Sequence, residues 1–180
     1  MNQLQESPAE FDEIDRLMTA GDTKHGLARL ESLARKGGVA AHYKLGCELK
    51  ELRHPGCFLW FLSAAEMGHM DAAHMLGTMY LLGDPLGVHP KKAMKWFTQA
   101  SLAGHARSQF SLAAMYEKGI GCPASKSSAL EWYSKAADQG DAGAKLFAEQ
   151  IKSHHYDFRK AGASAIHRLK SLLTADSMRR

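Results

Sequence analysis

The sequence predicts an all-α fold, a solenoid of about four helical hairpins followed by a C-terminal capping helix. Strand-forming residues are scarce, because the 180-residue chain has only two Val, four Ile and five Thr, whereas helix-forming Ala, Leu, Met, Lys and Glu are plentiful. One pattern recurs 36 residues apart, and a glycine follows the second helical segment of each copy. Helical composition, a fixed period and regular stop signals together indicate stacked hairpins.

The recurring pattern is clearest in MDAAHMLGTMY, residues 70–80, and ARSQFSLAAMY, residues 106–116. The same offset places Trp96 on Trp132, so a whole unit repeats rather than a single helix. An earlier copy reads AHYKLGCEL and then FLWFLSAAEMGH, with a connecting loop five residues shorter. We therefore expect each unit to be a pair of helices that is stable only when stacked on its neighbours.

The N-terminal part is predicted to be a degenerate copy of this unit. Ser7, Pro8 and Glu10 form a capping box that starts a first helix, whose apolar stripe comprises Phe11, Ile14 and Met18. This helix should pair with the segment that carries Leu27, Leu30 and Leu33. In that segment Leu30, Ala34 and Gly37 correspond to Phe61, Ala65 and Gly68.

The predicted domain organisation follows from these copies. Residues 1–8 form a tail and residues 9–156 the repeat array, which divides into 9–38 (degenerate capping repeat), 41–70, 71–106, 107–142 and 143–156 (start of a partial repeat). Residues 157–180 are expected to form a capping helix and a basic tail, because Ala165, Ile166, Leu169 and Leu173 share one side of a helix.

The repeat also predicts the core. Gly77 and Ala113 are small enough to let the second helix of a pair approach the first. The large residues at the repeated positions are expected to be buried: Leu76, Tyr80, Trp96, Leu112, Tyr116 and Trp132.

The pattern LGxMY, a Gly-rich loop and AxxWFxxAxxxGH resembles the Sel-1-like repeat family, relatives of the tetratricopeptide repeats. It departs from the family pattern at Pro90, where many members carry an acidic residue, and it lacks the paired cysteines of secreted members. The resemblance implies a right-handed α-α superhelix that serves as a scaffold or adaptor in protein–protein interaction. By analogy with the tetratricopeptide arrangement, the concave groove should be lined by Tyr43, Cys47, Lys50, His74, Thr78, Leu81, Phe110, Ala114 and Glu117. Tyr43 and Phe110 could instead pack only between repeats.

Catalytic and metal-binding motifs are weak in this sequence. The string GCPASKS, residues 121–127, lacks the second glycine of a phosphate-binding loop and is read as an inter-helix loop with Ser125 as the N-cap. His69 and His105 occupy equivalent repeat positions, and the adjacent pair His154 and His155 lacks metal-ligand spacing. We therefore expect no enzymatic activity, no metal and no cofactor.

The charge distribution bears on the partners. The net charge is +4, yet residues 1–20 carry five acidic and one basic side chain, whereas residues 145–180 carry eight basic and three acidic ones. Lys91, Lys92 and Lys95 form a small basic patch without interleaved aromatic residues, which is more typical of a solvated helix face than of a nucleic-acid site. Nucleic acid is therefore not the expected partner.

The location is expected to be cytoplasmic. The N-terminal segment has no secretory signal pattern, no run approaches 18 apolar residues, and three cysteines leave no complete set of disulfide pairs. The leading hypothesis is a non-enzymatic adaptor that binds a protein or peptide segment in the groove. The alternatives are a hydrolase or peptidoglycan-related activity, as claimed for some secreted relatives, and a self-assembling dimer driven by opposite charge at the two ends.

Overall fold

The protein was analysed as a computed structural model, which describes residues 7–83 and 87–153. Within these ranges the chain forms nine α-helices and no strand, so the predicted all-α repeat fold is confirmed for the described residues. The predicted capping helix in 157–180 lies outside them. The helices are α1 (Pro8–Thr19), α2 (Thr23–Arg35), α3 (Val39–Glu51), α4 (Cys57–Glu66), α5 (Met70–Leu82), α6 (Pro90–Leu102), α7 (Ala106–Lys118), α8 (Lys126–Asp138) and α9 (Ala142–Lys152).

The chain divides into two compact units, one ending at Leu76 and the other beginning at Gly77. In the first unit α1 packs on α2, α2 on α3 and α3 on α4. In the second unit α6 packs on α7, α7 on α8 and α8 on α9. Neighbours in sequence are thus neighbours in space within each unit, as a stack of hairpins requires. None of the described helices is both long enough and apolar enough to cross a membrane.

The core of the first unit confirms the predicted pairing of the two N-terminal helices. Helix α1 begins with Pro8 at its first position, and the Glu10 carboxylate accepts a hydrogen bond from the Ser7 backbone N–H at 3.3 Å. This bond satisfies one of the donors that a helix start leaves unpaired. The fully buried residues of this core are Ile14, Leu30, Leu33, Ala34, Ala41 and Leu45, and the partly buried ones around them include Phe11, Met18 and Leu27.

The second unit confirms part of the predicted core and corrects the rest. Leu76, at the end of the first unit, and Tyr80 and Leu112 are buried as expected, but Trp96, Tyr116 and Trp132 are only partly buried. The residues that follow the two tryptophans, Phe97 and Tyr133, are fully buried instead.

The contact between α5 and α6 explains why Phe97 is fully buried and Trp96 only partly. The ring of Phe97 fills the space above Gly77, since a Cβ added at Gly77 would lie 2.7 Å from Phe97 Cε1. In the first unit Phe61 occupies the same space above Gly46, at 2.9 Å from the equivalent Cβ position. Adjacent residues on a helix point about 100° apart, so Trp96 is displaced to the flank when Phe97 points at the glycine.

Connections between successive helix pairs are short and alike. They comprise residues 36–38, 67–69, 103–105 and 139–141. The middle residue of each is a glycine, and Gly37, Gly68, Gly104 and Gly140 have φ of 94°, 94°, 91° and 92°. Residues other than glycine rarely adopt such a φ, which explains why the glycine recurs.

Connections within the three later pairs are longer and differ in length, comprising residues 52–56, 83–89 and 119–125, whereas α1 and α2 are joined by only residues 20–22. In the last of them Ser125 caps α8, where its Oγ accepts a hydrogen bond from the Ser128 backbone N–H at 3.2 Å. The predicted N-cap role of Ser125 is confirmed. The backbone N–H of Ser125 also donates to the Tyr116 carbonyl at 2.8 Å, and His89 makes the same bond with Tyr80 at 2.8 Å. The two longer loops are therefore closed alike.

Candidate partner-binding surface

The nine predicted groove residues all lie on the first helices of the helix pairs, α3, α5 and α7. Six of them have partly exposed side chains: Tyr43, Cys47, Lys50, His74, Thr78 and Phe110. The other three are buried: Leu81, Ala114 and Glu117. The six partly exposed residues are referred to below as the first-helix surface.

Tyr43 is the aromatic member of this surface in the first unit. Its ring packs at 5.9 Å and 55° against the buried ring of Phe61 on α4, and it stacks at 4.4 Å and 18° on the imidazole of His69. His69 is fixed in turn, because its Nδ1 accepts a hydrogen bond from the Ala72 backbone N–H at 3.3 Å. A rigid, partly exposed ring is therefore presented at this position.

Phe110 is the corresponding residue of the second unit. Its ring packs edge-on at 5.3 Å against the buried ring of Tyr133 on α8 and at 5.7 Å against Phe147 on α9. Tyr133 and Phe147 also stack on each other at 5.3 Å and 14°. Both units thus hold the aromatic residue two places before the repeat leucine against the buried ring of the second helix.

Glu117 differs from the expectation that its side chain lines a groove. It is only 2% exposed, its Oε2 accepts a hydrogen bond from the Tyr133 hydroxyl at 2.9 Å, and Lys118 Nζ lies 3.4 Å from its Oε1. The equivalent positions of the preceding repeat hold Leu81 and Phe97, which are both apolar and buried. The carboxyl group therefore turns inward because the second helix carries a tyrosine where the preceding copy carries a phenylalanine.

Leu81 and Ala114 are also buried. Leu81, which is 8% exposed, occupies the same repeat position as Glu117, five residues after the leucine that recurs as Leu76 and Leu112. Ala114 has too short a side chain to rise above its neighbours on α7, a helix with eight buried residues. These three residues offer little surface to a partner in this structure.

One exposed residue at a groove position was not anticipated from the sequence. Leu146 on α9 follows Phe110 by 36 residues, and its side chain is 54% exposed. Beside it Gly143 leaves the Phe110 ring uncovered, since a Cβ added there would lie 3.6 Å from Phe110 Cε2. Counting one repeat period from Phe110 would have found Leu146, but the repeat signature is lost in this copy.

Burial raises the pKa of two side chains, Glu48 on α3 and Cys122 in the GCPASKS loop. Loss of solvent around Glu48 raises the pKa of its carboxyl group, an effect opposed by the nearby Lys44 ammonium. Burial also raises the pKa of the Cys122 thiol, which lowers the fraction of reactive thiolate at neutral pH. Cys47, Cys57 and Cys122 form no disulfide among the described residues.

The charged side chains that line a cavity between α1 and α2 all make side-chain hydrogen bonds. The cavity has a volume of ≈ 400 Å³ and is lined by Glu13, Leu17, His25, Ala28 and Arg29. The Arg29 guanidinium donates to the Glu13 carboxylate, and His25 Nδ1 lies 2.7 Å from Asp22 Oδ1. The hydrogen bond with His25 lowers the pKa of Asp22. Across the described part of the chain, no three His, Cys, Asp or Glu residues are grouped so as to hold a metal ion.

Paired helices, a repeated core and recurring glycine stops define an α-helical repeat protein. The Sel1 repeat family model matches residues 39–69, 71–105 and 106–141, more than half of the chain. The chain belongs to the Sel1 repeat family, which is generally a non-catalytic repeat scaffold.

Two solved structures are similar to this chain. A Sel1 repeat protein from Oxalobacter formigenes is 32% identical with a TM-score of 0.65, and the match covers 69% of this chain and 97% of that one. A protective antigen of uropathogenic Escherichia coli that displays an SLR fold is 24% identical with a TM-score of 0.66, over 73% of this chain and 30% of that chain. At this lower identity the likeness concerns the fold alone. No functionally curated protein shows significant sequence similarity to the chain.

Proposed function

We propose that the protein is a non-enzymatic adaptor whose first-helix surface binds a segment of a partner protein. Sel1 repeat proteins typically mediate protein–protein interactions, and the chain carries three matched copies of the repeat. The observation that carries the proposal is the equivalent placement of Tyr43 and Phe110. Each is a partly exposed ring supported by a buried ring of the second helix.

Rings held in this way suit binding because little conformational entropy is lost when a partner covers them. Aromatic residues with few rotatable bonds dominate the energy of many protein interfaces. The first-helix surface also offers polar groups, those of Lys50 and His74 in the first unit and of Thr78 in the second. A mixture of rings and dispersed polar groups fits a peptide or a helix of a partner better than a small charged substrate.

The partner is expected in the cytoplasm. Cys47, Cys57 and Cys122 form no disulfide among the described residues, and a reducing compartment keeps cysteines as thiols. Finding the protein in an oxidising compartment after fractionation of cells would contradict this part of the proposal.

The test compares a groove variant with a matched surface variant in affinity capture. The groove variant is Tyr43→Ala/His74→Ala/Phe110→Ala, and the control is Leu59→Ala/Glu66→Ala/Asp138→Ala, which changes three exposed residues of the second helices. Both must unfold cooperatively, as followed by circular dichroism. We expect the groove variant to lose a partner that the wild type and the control retain.

Titration of that purified partner then gives the magnitude. Because truncating an interface anchor commonly costs at least about 1–2 kcal/mol, the groove variant should bind at least roughly tenfold more weakly. The single variants Tyr43→Ala and Phe110→Ala show which unit contributes. Equal affinity of the groove and control variants would overturn the proposal.

A further inference from the structure

Helix α6 exposes three lysines and carries no acidic residue. Lys91, Lys92 and Lys95 lie in the N-terminal half of its sequence, PKKAMKWFTQASL, and all three are exposed. Lys92 and Lys95 are three residues apart and Lys91 and Lys95 four apart, so the three side chains lie on adjoining parts of one face. We call them the lysine face.

The lysine face is not neutralised by the residues that the structure describes. Some basic side chains on other helices pair with acidic ones, as Arg35 does with Glu31 at 2.6 Å and Lys135 with Glu131 at 2.7 Å. None of the three lysines of α6 makes an ion pair within residues 7–83 and 87–153. The backbone of α6 adds to the local positive potential, because the N-terminal end of a helix is the positive end of its dipole.

Two of the three ammonium groups are held in place by aromatic rings. Lys92 Nζ lies 5.3 Å from the centre of the Tyr80 ring, and Lys95 Nζ lies 6.0 Å from the centre of the Trp96 ring. Such contacts restrict long side chains that otherwise lose freedom on binding. The positive groups are therefore partly ordered before any partner arrives.

Large apolar residues flank the lysine face at both ends. Val88, two residues before α6, is 61% exposed, and Leu102, the last residue of the helix, is 73% exposed. Leu102 is seven residues from Lys95 and so lies on the same side of the helix. With a rise of 1.5 Å per residue, the surface extends for roughly 20 Å, the length of about six residues of extended chain.

From these features we propose that α6 is a docking surface for an acidic segment of a partner protein that carries apolar residues at both ends. The apolar ends favour a polypeptide over a nucleic acid, and the buried Tyr80 ring is not accessible for base stacking. A second copy of this chain is a poorer counterpart. On its acidic helix α1, Glu13 and Asp15 are already paired with Arg29 and Lys44.

This docking surface shares no residue with the first-helix surface, so its test is independent of the proposed function. The probe is a fluorescein-labelled peptide, Leu-Glu-Glu-Glu-Glu-Leu, followed by anisotropy with the full chain at 50 and 200 mM salt. The test variant is Lys91→Gln/Lys92→Gln/Lys95→Gln. The control, Lys24→Gln/Lys36→Gln/Lys145→Gln, removes the same net charge from exposed positions outside α6.

We expect the test variant to bind the peptide about tenfold more weakly than the wild type, as three exposed ion pairs of ordinary strength predict. The control should bind like the wild type, and the salt dependence of binding should be smaller for the test variant. A peptide with serine in place of both leucines should bind more weakly than the original.

Several results would overturn the proposal. These are equal losses in the two variants, no binding of the peptide by the wild type, and unchanged affinity of the serine peptide. Tighter, lysine-dependent binding of a single-stranded oligonucleotide or of phosphatidylserine vesicles would also overturn it. So would a dimer in sedimentation without peptide that dissociates in the test variant but not in the control.

Discussion

The Tyr133→Phe substitution should leave the buried Glu117 carboxyl group without one of its hydrogen-bond donors. The phenol donates to Glu117 Oε2 at 2.9 Å, and Glu117 is 2% exposed, so water cannot readily replace it. Removing one partner of a buried hydrogen bond to a charged group costs about 1.5–3 kcal/mol. Lys118 remains 3.4 Å from Oε1, so we expect the lower half of this range, about 1.5–2 kcal/mol.

The preceding repeat supplies the compensating change. There the equivalent pair is Leu81 and Phe97, so Glu117→Leu/Tyr133→Phe recreates an apolar pair that the same fold already contains. Glu117→Leu alone should also destabilise, because the buried tyrosine hydroxyl loses the carboxylate that accepts its hydrogen bond. The double variant should therefore be more stable than the sum of the single effects predicts, by at least about 1 kcal/mol.

The wild type, Tyr133→Phe, Glu117→Leu and the double variant form a double-mutant cycle. Urea unfolding of these four proteins at pH 7, followed by circular dichroism, gives the free energy of unfolding of each. For a chain of this length, a loss of 1 kcal/mol lowers the melting temperature by roughly 2–4 °C. Thermal melts therefore offer a second readout. Effects of the two substitutions that add within about 0.5 kcal/mol would refute the reasoning, because residues that interact are not additive.

Two further predictions concern backbone fit and pH. Gly77→Ala should destabilise by about 1 kcal/mol or more because its Cβ would lie 2.7 Å from Phe97. A Cβ added at Gly104 would have no atom within 4 Å, but Gly104→Ala should still lower the free energy of unfolding by about 1–2 kcal/mol, because the φ at this position is +91°. Gly104→Asn should cost less than Gly104→Ala in urea unfolding, since Asn tolerates positive φ, and the reverse order would contradict the strain argument. Burial raises the pKa of Glu48, so this group favours folding below its unfolded pKa and loses that contribution as pH rises through the folded one. Glu48→Gln should then lose less stability than the wild type between about pH 4 and pH 7, and equal pH profiles would contradict this.

Repeat spacing was enough to predict the helix pairs, the glycine stops and the Ser125 cap, because these depend on residues close in sequence. It did not predict which of two adjacent aromatic residues is buried. The choice of Phe97 over Trp96 depends on the rotation of α6 about its own axis, and that rotation is set by contact with Gly77 on another helix.

The burial of Glu117 was missed for a similar reason. Its acceptor role depends on Tyr133, which is 16 residues away on the next helix. The sequence reveals Glu117 and Tyr133 as a pair only when the two are aligned with Leu81 and Phe97 of the preceding repeat. Similarly, the three lysines of α6 were evident in the sequence, but their lack of ion-pair partners among the described residues required the structure.

The uniform three-residue connections have a consequence for how such a chain can change in length. Each glycine lies two residues after the end of one helix, and the residue after it directly precedes the next helix; around Gly104 the backbone N–H of His105 donates to the Ala100 carbonyl and that of Gln109 to the His105 carbonyl, at 3.0 Å each. An insertion there would separate a stop signal from a start signal, whereas the longer connections within pairs already vary. A segment that runs from one of these glycines to the next contains one complete helix pair with its own start and stop signals. Duplication or deletion of such a segment therefore leaves the remaining helices in register.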